Sequence, residues 1–99
     1  MIDGYLLNTR VFREVEDGKG QALKPLEEAA GVFGAWQARH DMRSAPRDAQ
    51  RASRDDLIDG CMDTVQAVAN LLAAIGATQG EADDAIRRMD ERNECRGRL

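Results

Sequence analysis

The chain has 99 residues, enough for one small domain, and its 14 basic and 18 acidic side chains give a formal net charge of −4. This charge argues against nucleic acid as a partner, because nucleic-acid-binding domains carry a positive surface. We find no apolar run of the roughly 18 residues that a membrane span requires and no basic-then-apolar start, so we expect a cytoplasmic protein without a membrane segment. Cys61 and Cys95 lack the spacing of a zinc site or a disulfide framework and are predicted to be free thiols.

Aromatic residues make up only 4% of the chain, while alanine, leucine, glutamate and arginine dominate its periodic segments. This composition favours an all-α fold. Residues 3–16 show a loosely helical pattern of apolar side chains, although helix and strand are hard to separate there. The glycines of "EDGKG" predict a break after that segment.

A first long helix is predicted from about Gln21 to His40. Its apolar side chains recur at steps of three and four and form one stripe that we expect to be buried: Leu23, Leu26, Ala30, Phe33 and Trp36. Pro25 falls in the first turn, where its missing N–H costs little. Trp36 is therefore expected in the core or at a subunit interface rather than on a nucleotide base. His40 is expected to stabilise the C-terminal end of the helix rather than to act as a catalytic base.

Residues 41–53, "DMRSAPRDAQRAS", are polar and predict a mobile connector, partly helical near residues 47–51, that would act as a lid. A second helix is predicted to start after Ser53, which forms a capping-box pattern with Asp56, and to run to about Ile75. Its second half, "VQAVANLLAAIG", is apolar or small almost all round, which is typical of a helix buried on several sides. One short chain cannot cover such a helix, so we expect a homodimer or homotetramer.

A third helix is predicted to begin at a capping box formed by Thr78 and Glu81. It continues through Met89 to a basic end, "ERNECRGRL". Basic side chains at that position complement the negative end of a helix dipole.

Acidic side chains are concentrated on the first two predicted helices. Glu27 and Glu28 are adjacent in the first, and Asp56, Asp59 and Asp63 share one face of the second through steps of three and four. Two such helices facing each other would form a carboxylate cluster, which suits Mg²⁺ and the phosphate oxygens of a substrate. The alternative is a solvated acidic face without a ligand, which is common on helices.

The order of these elements over residues 20–98 resembles the MazG-like all-α nucleoside triphosphate pyrophosphohydrolases, especially short phage and prophage forms. That family carries a Glu-Glu-x-x-Glu motif on one helix and a Glu-x-x-Asp motif on the next. Glu27 and Glu28 match the first two glutamates, and Asp63 matches the final aspartate. Gly31 and Gly60 stand where the family has its other two glutamates.

The resemblance implies a single antiparallel helical bundle, residues 1–99, completed by oligomerisation. It also implies Mg²⁺ or Mn²⁺ at Glu27, Glu28 and Asp63, with Asp59 assisting from one turn away. The bound metal would grip a nucleoside triphosphate that water cleaves to the monophosphate and pyrophosphate. Side chains near the end of the last helix are expected to contact phosphate: Asn93, Arg96 and Arg98.

The two glycines predict weak metal binding and weak or lost catalysis, so no catalytic residue is assigned. Close helix packing is the other explanation for a glycine within a helix. The alternative function is a catalytically inactive helical dimer that acts as a nucleotide-binding or protein-interaction module.

Overall fold

The structure is a computed structural model that describes residues 2–99, so Met1, which is included in the predicted domain, lies outside it. It contains three helices: α1, Lys19–Asp41; α2, Arg47–Ala74; and α3, Gln79–Cys95. Residues 2–99 contain no strand, so the predicted all-α class is confirmed. For residues 3–16 the sequence left helix and strand open, and the structure shows neither: residues 2–18, here called the N-terminal segment, form no regular structure.

Helices α1 and α2 form an antiparallel hairpin across the short connector Met42–Pro46. The half-buried side chains of α1 recur at steps of four and three: Gln21, Pro25, Glu28, Val32 and Ala35. The buried and half-buried residues of α2 that share a face with Gly60 follow the same heptad spacing: Ser53, Leu57, Gly60, Thr64, Ala67, Leu71 and Ala74. This is the seam spacing of two helices packed as in a coiled coil.

The apolar stripe predicted to be buried on α1 is not buried within the chain. Leu26 is 67% exposed, Phe33 60% and Trp36 48%, and Leu23 and Ala30 are also exposed. The hairpin seam uses the neighbouring face of α1, where the side chains are smaller and include Glu28. Periodicity identifies an apolar face, but it does not say which neighbour covers that face.

Helix α2 starts earlier than predicted, at Arg47 with Pro46 as its N-cap. Ser53, predicted to cap the helix, lies within it, and its Oγ donates to the carbonyl oxygen of Gln50 at 3.0 Å. The predicted lid is therefore helical over residues 47–53. The short connector is tied to α2 by Gln50, whose Nε2 donates to the carbonyl oxygens of Arg43 at 3.1 Å and Ala45 at 2.7 Å.

The predicted boundary between α2 and α3 is confirmed. Helix α2 ends one residue before Ile75, and Gly76 adopts φ +76°, the left-handed conformation that glycine provides after a helix. Thr78 and Glu81 form the predicted capping box: Glu81 N donates to Thr78 Oγ1 at 3.1 Å, and Thr78 N donates to Glu81 Oε1 at 3.0 Å. Within residues 2–99, no Cα atom of α3 lies within 8 Å of one in α1 or α2.

The N-terminal segment is held on α2 by two side-chain amides. Gln66 Nε2 donates to the carbonyl oxygen of Arg10 at 2.6 Å, and the backbone N–H of Phe12 donates to Asn70 Oδ1 at 3.0 Å. Gln66 also donates to Asn70 Oδ1, and it accepts from Thr9 Oγ1. Asn70 is buried, and a buried polar group needs a hydrogen-bond partner. The backbone N–H of Phe12 in this segment provides one for Asn70 Oδ1.

The chain exposes far more surface than its mass predicts. Its accessible surface is 8227 Å², whereas a folded monomer of this 10.9 kDa mass exposes about 5,600 Å². The radius of gyration is 16.3 Å against about 13 Å for a compact domain of this length. Ala67 is the one hydrophobic residue that is fully buried within residues 2–99.

Candidate functional site

The two segments that carry the acidic motifs lie at the same level of the hairpin. A Cβ atom at position 60 would lie 3.7 Å from Cγ2 of Val32, which fixes the register of α2 against α1. Because the helices run antiparallel, residues that precede Val32 lie beside residues that follow Gly60. Glu28 and Asp63 therefore lie at one level, and Asp59 lies about one turn nearer the connector.

Glu27 and Glu28 are both engaged by a cation from their own helix. Lys24 Nζ lies 3.4 Å from Glu27 Oε2 and 3.7 Å from Glu28 Oε1. Glu28 has a side chain 30% exposed and belongs to the hairpin seam, whereas Glu27 is 60% exposed and points away from it. Of this pair, Glu28 is the better placed to share a ligand with α2.

The carboxylates of α2 are exposed, and their surroundings differ. Asp63 borders a cleft of about 440 Å³ between α2 and the N-terminal segment, together with Phe12 and Gln66. Asp59 lies one turn closer to the connector. Over residues 2–99, no group of three or more histidine, cysteine, aspartate or glutamate side chains is arranged to hold a metal ion. Glu28 and Asp63 thus share a level of the hairpin, Asp59 lies one turn away, and the four predicted ligands form no closed ligand set. The metal site stays a prediction.

The structure leaves room for side chains at both glycines of the motifs. A Cβ at Gly31 would meet no atom within 4 Å, and one at Gly60 would make ordinary van der Waals contact with Val32. Neither glycine has a positive φ. Within the chain, close packing therefore does not require a glycine at either position.

The predicted phosphate contacts lie at the far end of α3. Asn93 is half-buried in its last turn, and Arg96 and Arg98 follow at its C-terminal end. The backbone N–H of Arg98 donates to the carbonyl oxygen of Asn93 at 2.9 Å. The start of α3 borders a cleft with α2, but no Cα atom of α3 lies within 8 Å of one in α1 or α2, so one chain does not bring the side chains at its far end to the acidic segments.

Sequence analysis missed a cluster of arginines at the connector. Arg39 in the last turn of α1 and Arg43 in the connector meet three arginines from the first turns of α2 around a cleft of about 370 Å³, here called the basic cleft: Arg39, Arg43, Arg47, Arg51 and Arg54. The signal in the sequence is the repeated spacing of four and three between these arginines. The polarity of residues 41–53 predicts only a lid.

Three stacked aromatic rings lie along α1, and the last of them, His40, lines the basic cleft. The rings of Phe33 and Trp36 are nearly parallel with centroids 6.1 Å apart, and those of Trp36 and His40 are 5.4 Å apart. His40 lies in the last turn of α1, as predicted, and its Nε2 is 3.0 Å from a guanidinium nitrogen of Arg43. This distance fits a hydrogen bond that Arg43 donates to a neutral imidazole.

Within residues 2–99, none of the helices combines the length and the apolar character needed to span a bilayer. No family model, curated protein or solved structure matches the chain.

Proposed function

We propose that the chain is a MazG-like nucleoside triphosphate pyrophosphohydrolase whose activity is weak or lost. The observation that supports the proposal is the contact between Gly60 and Val32, because it sets the two motif-bearing segments side by side. A divalent cation between the helices would be held by Glu28 and Asp63, with Glu27 and Asp59 at the edges. Bound Mg²⁺ or Mn²⁺ would neutralise phosphate charge and make an attacking water more acidic.

Metal binding at this site has to compete with Lys24, which is shared by both glutamates of α1 and offsets part of their negative charge in the free chain. The ion pairs are exposed and therefore weak, so a divalent cation with phosphate ligands can displace the lysine. Lys24 then lies close to the bound triphosphate as a source of positive charge. The missing carboxylates at positions 31 and 60 leave fewer protein ligands than the family motif supplies.

The proposal includes assembly into a homodimer or homotetramer. The apolar stripe of α1 and a second stripe along α2 are exposed in the isolated chain; the second stripe contains Ile58, Met62, Val68 and Leu72 of α2 and Ile75 just after it. Burying such faces against another copy would bring the accessible surface per chain toward that of a compact protein. Assembly would also offer a way for the end of α3 from one copy to approach the acidic segments of another.

A second candidate function is a catalytically inactive helical module that binds a nucleotide or a protein. The observation that favours it is the pairing of Glu27 and Glu28 with Lys24, which supplies both carboxylates with a shared cation without a metal. Under this proposal the fold and its assembly are retained, and the chemistry is absent.

Restoring the two missing glutamates tests the proposed function. Gly31→Glu combined with Gly60→Glu should create a set of four or more carboxylates at one level of the hairpin. The matched control is Gly31→Ala combined with Gly60→Ala, which replaces the same two glycines but adds no carboxylate. Pyrophosphate release is measured with a panel of ribo- and deoxyribonucleoside triphosphates and Mg²⁺ or Mn²⁺.

We expect release by the glutamate variant well above that of the wild type, with no gain in the alanine variant. Metal binding is followed in parallel as the shift in melting temperature on adding Mn²⁺. A folded glutamate variant that binds no metal and releases no pyrophosphate would refute the proposed site. Metal binding without hydrolysis by the glutamate variant would favour the inactive module.

A further inference from the structure

The basic cleft concentrates positive charge in an acidic protein. Five of the chain's arginines lie within residues 39–54, a segment that contains only two aspartates, Asp41 and Asp48. No carboxylate lines the cleft, whose remaining lining residues are His40, Gln50 and Ser53. The net charge of the whole chain is nevertheless −4.

The arginines of the cleft are not paired with carboxylates. Over residues 2–99, the salt bridges involve Lys24 and Arg87, and none involves Arg39, Arg43 or the three arginines of α2. Like charges four residues apart destabilise a helix, as do cations near the positive N-terminal end of its dipole. Arg47 is the first residue of α2 and has both disadvantages, and Arg51 lies four residues after it. An anion bound between them would offset this repulsion.

The cleft has a defined shape because its walls are fixed to one another. Gln50 holds the connector through its two hydrogen bonds to Arg43 and Ala45, and Ser53 is nearly buried beneath it. Pro46 has no side chain that caps α2, so the first-turn amides of that helix have no capping partner from it. Guanidinium groups and free helix amides are the two groups that most often bind phosphate oxygens.

We propose that the basic cleft binds the oligophosphate group of a small molecule, such as a di- or triphosphate. A volume of about 370 Å³ lies in the range of small-molecule pockets. The arginines surround one cleft rather than extend along a surface, and the negative net charge disfavours a long nucleic-acid chain. Binding requires no metal, so the proposal is independent of the carboxylates of the proposed catalytic site.

The test is a calorimetric titration of the whole protein with tripolyphosphate in buffer that contains EDTA. The variant pair Arg47→Gln with Arg51→Gln removes two guanidinium groups from the cleft. The matched control, Arg10→Gln with Arg13→Gln, makes the same change in charge in the N-terminal segment. A third pair, Arg47→Lys with Arg51→Lys, keeps the charge and removes the planar fork that pairs with two phosphate oxygens.

We expect saturable binding by the wild type and a dissociation constant raised about tenfold or more in the glutamine pair. The lysine pair should lose part of the affinity, and the control pair should change it by less than about twofold. If the glutamine pair fails to fold, the lysine pair decides, and unchanged affinity there overturns the proposal. The proposal is also overturned by equal losses in the cleft and control pairs, or by no saturable binding in the wild type.

Two further ligands identify the source of the phosphate. Adenosine triphosphate that binds more tightly than tripolyphosphate would assign the cleft to nucleotides, and equal affinity would assign it to the phosphate chain alone; either result supports the proposal. A short single-stranded oligonucleotide of mixed sequence that binds more tightly than both would overturn it in favour of a nucleic-acid surface. Because every titration is free of divalent metal, failure here leaves the proposed pyrophosphohydrolase activity untouched.

Discussion

Replacing Leu26 on the exposed face of α1 should weaken assembly while leaving the single chain almost unchanged. Leu26→Gln keeps a side chain with good helix propensity and similar length, so its effect on an isolated helix is small. Leu26 is 67% exposed, and a monomer would tolerate the change within about 0.5 kcal/mol. In an assembly that covers this face, the same change removes most of the burial energy of a leucine.

The size of that loss follows from the exposed fraction. Full burial of a leucine is worth about 1.5–3 kcal/mol, and 67% of it is still available in the free chain, which gives about 1–2 kcal/mol per subunit. A symmetric dimer loses this twice, about 2–4 kcal/mol. Its dissociation constant should therefore rise by about thirtyfold or more.

Sedimentation equilibrium and thermal melting over a range of protein concentrations measure this effect. The melting temperature of the wild type should rise as its concentration increases. The Leu26→Gln variant should need a higher protein concentration than the wild type to show the same rise. Leu99→Gln is the control, because Leu99 is equally exposed but lies at the end of the chain. A wild type that is monomeric at every concentration, with an unchanged melting temperature, would show that the exposed faces are not covered by another copy.

Three smaller changes test the packing within one chain. Gly31→Ala and Gly60→Ala should each raise the free energy of unfolding by about 1 kcal/mol, because a Cβ fits at both positions; a lower melting temperature for Gly60→Ala would mean that the helices approach more closely than described. Asn70→Ala should cost about 1–3 kcal/mol and release the N-terminal segment, seen as faster proteolysis at residues 5–15; unchanged proteolysis would mean that the bond to Phe12 does not hold the segment. Thr78→Ala should cost about 1 kcal/mol and reduce the helical circular dichroism of α3, and a neutral result would contradict the capping role.

The helices with a clear signal at both ends could be predicted from the sequence. The capping box at Thr78 and the glycine at 76 mark boundaries by local chemistry, and local chemistry does not depend on the rest of the fold. The start of α2 was misplaced because Ser53 and Asp56 imitate a capping box inside a helix. Pro46 was the true boundary, since proline is well tolerated immediately before or at the first helical position.

What the sequence could not show is how faces pair in space. The stripe through Leu26 and Trp36 is as periodic as any core stripe, yet α2 packs on the adjacent face, which contains Glu28 and Val32. A short connector predicts that two successive helices pack side by side and antiparallel. This hairpin places Glu28 and Asp63 at one level, so that part of the arrangement could be predicted. The basic cleft was missed because its arginines come from two helices and converge only when the connector turns.

The separation of α3 from the hairpin has a consequence for how the protein opens. A helix of 17 residues with little tertiary packing is marginal in water. Helix α3 meets the rest of the chain near its first turn, where Gln79 and Ala82 line a cleft with α2 and the N-terminal segment, and it otherwise depends on its capping box and on local pairs such as Arg87 with Asp84. Its amide protons should exchange with solvent through a local opening that leaves α1 and α2 intact, at a free energy far below that of the hairpin seam. Hydrogen exchange would then show two cooperative units joined at Gly76, and protection of the α3 amides would report directly on whether another molecule has docked against that helix.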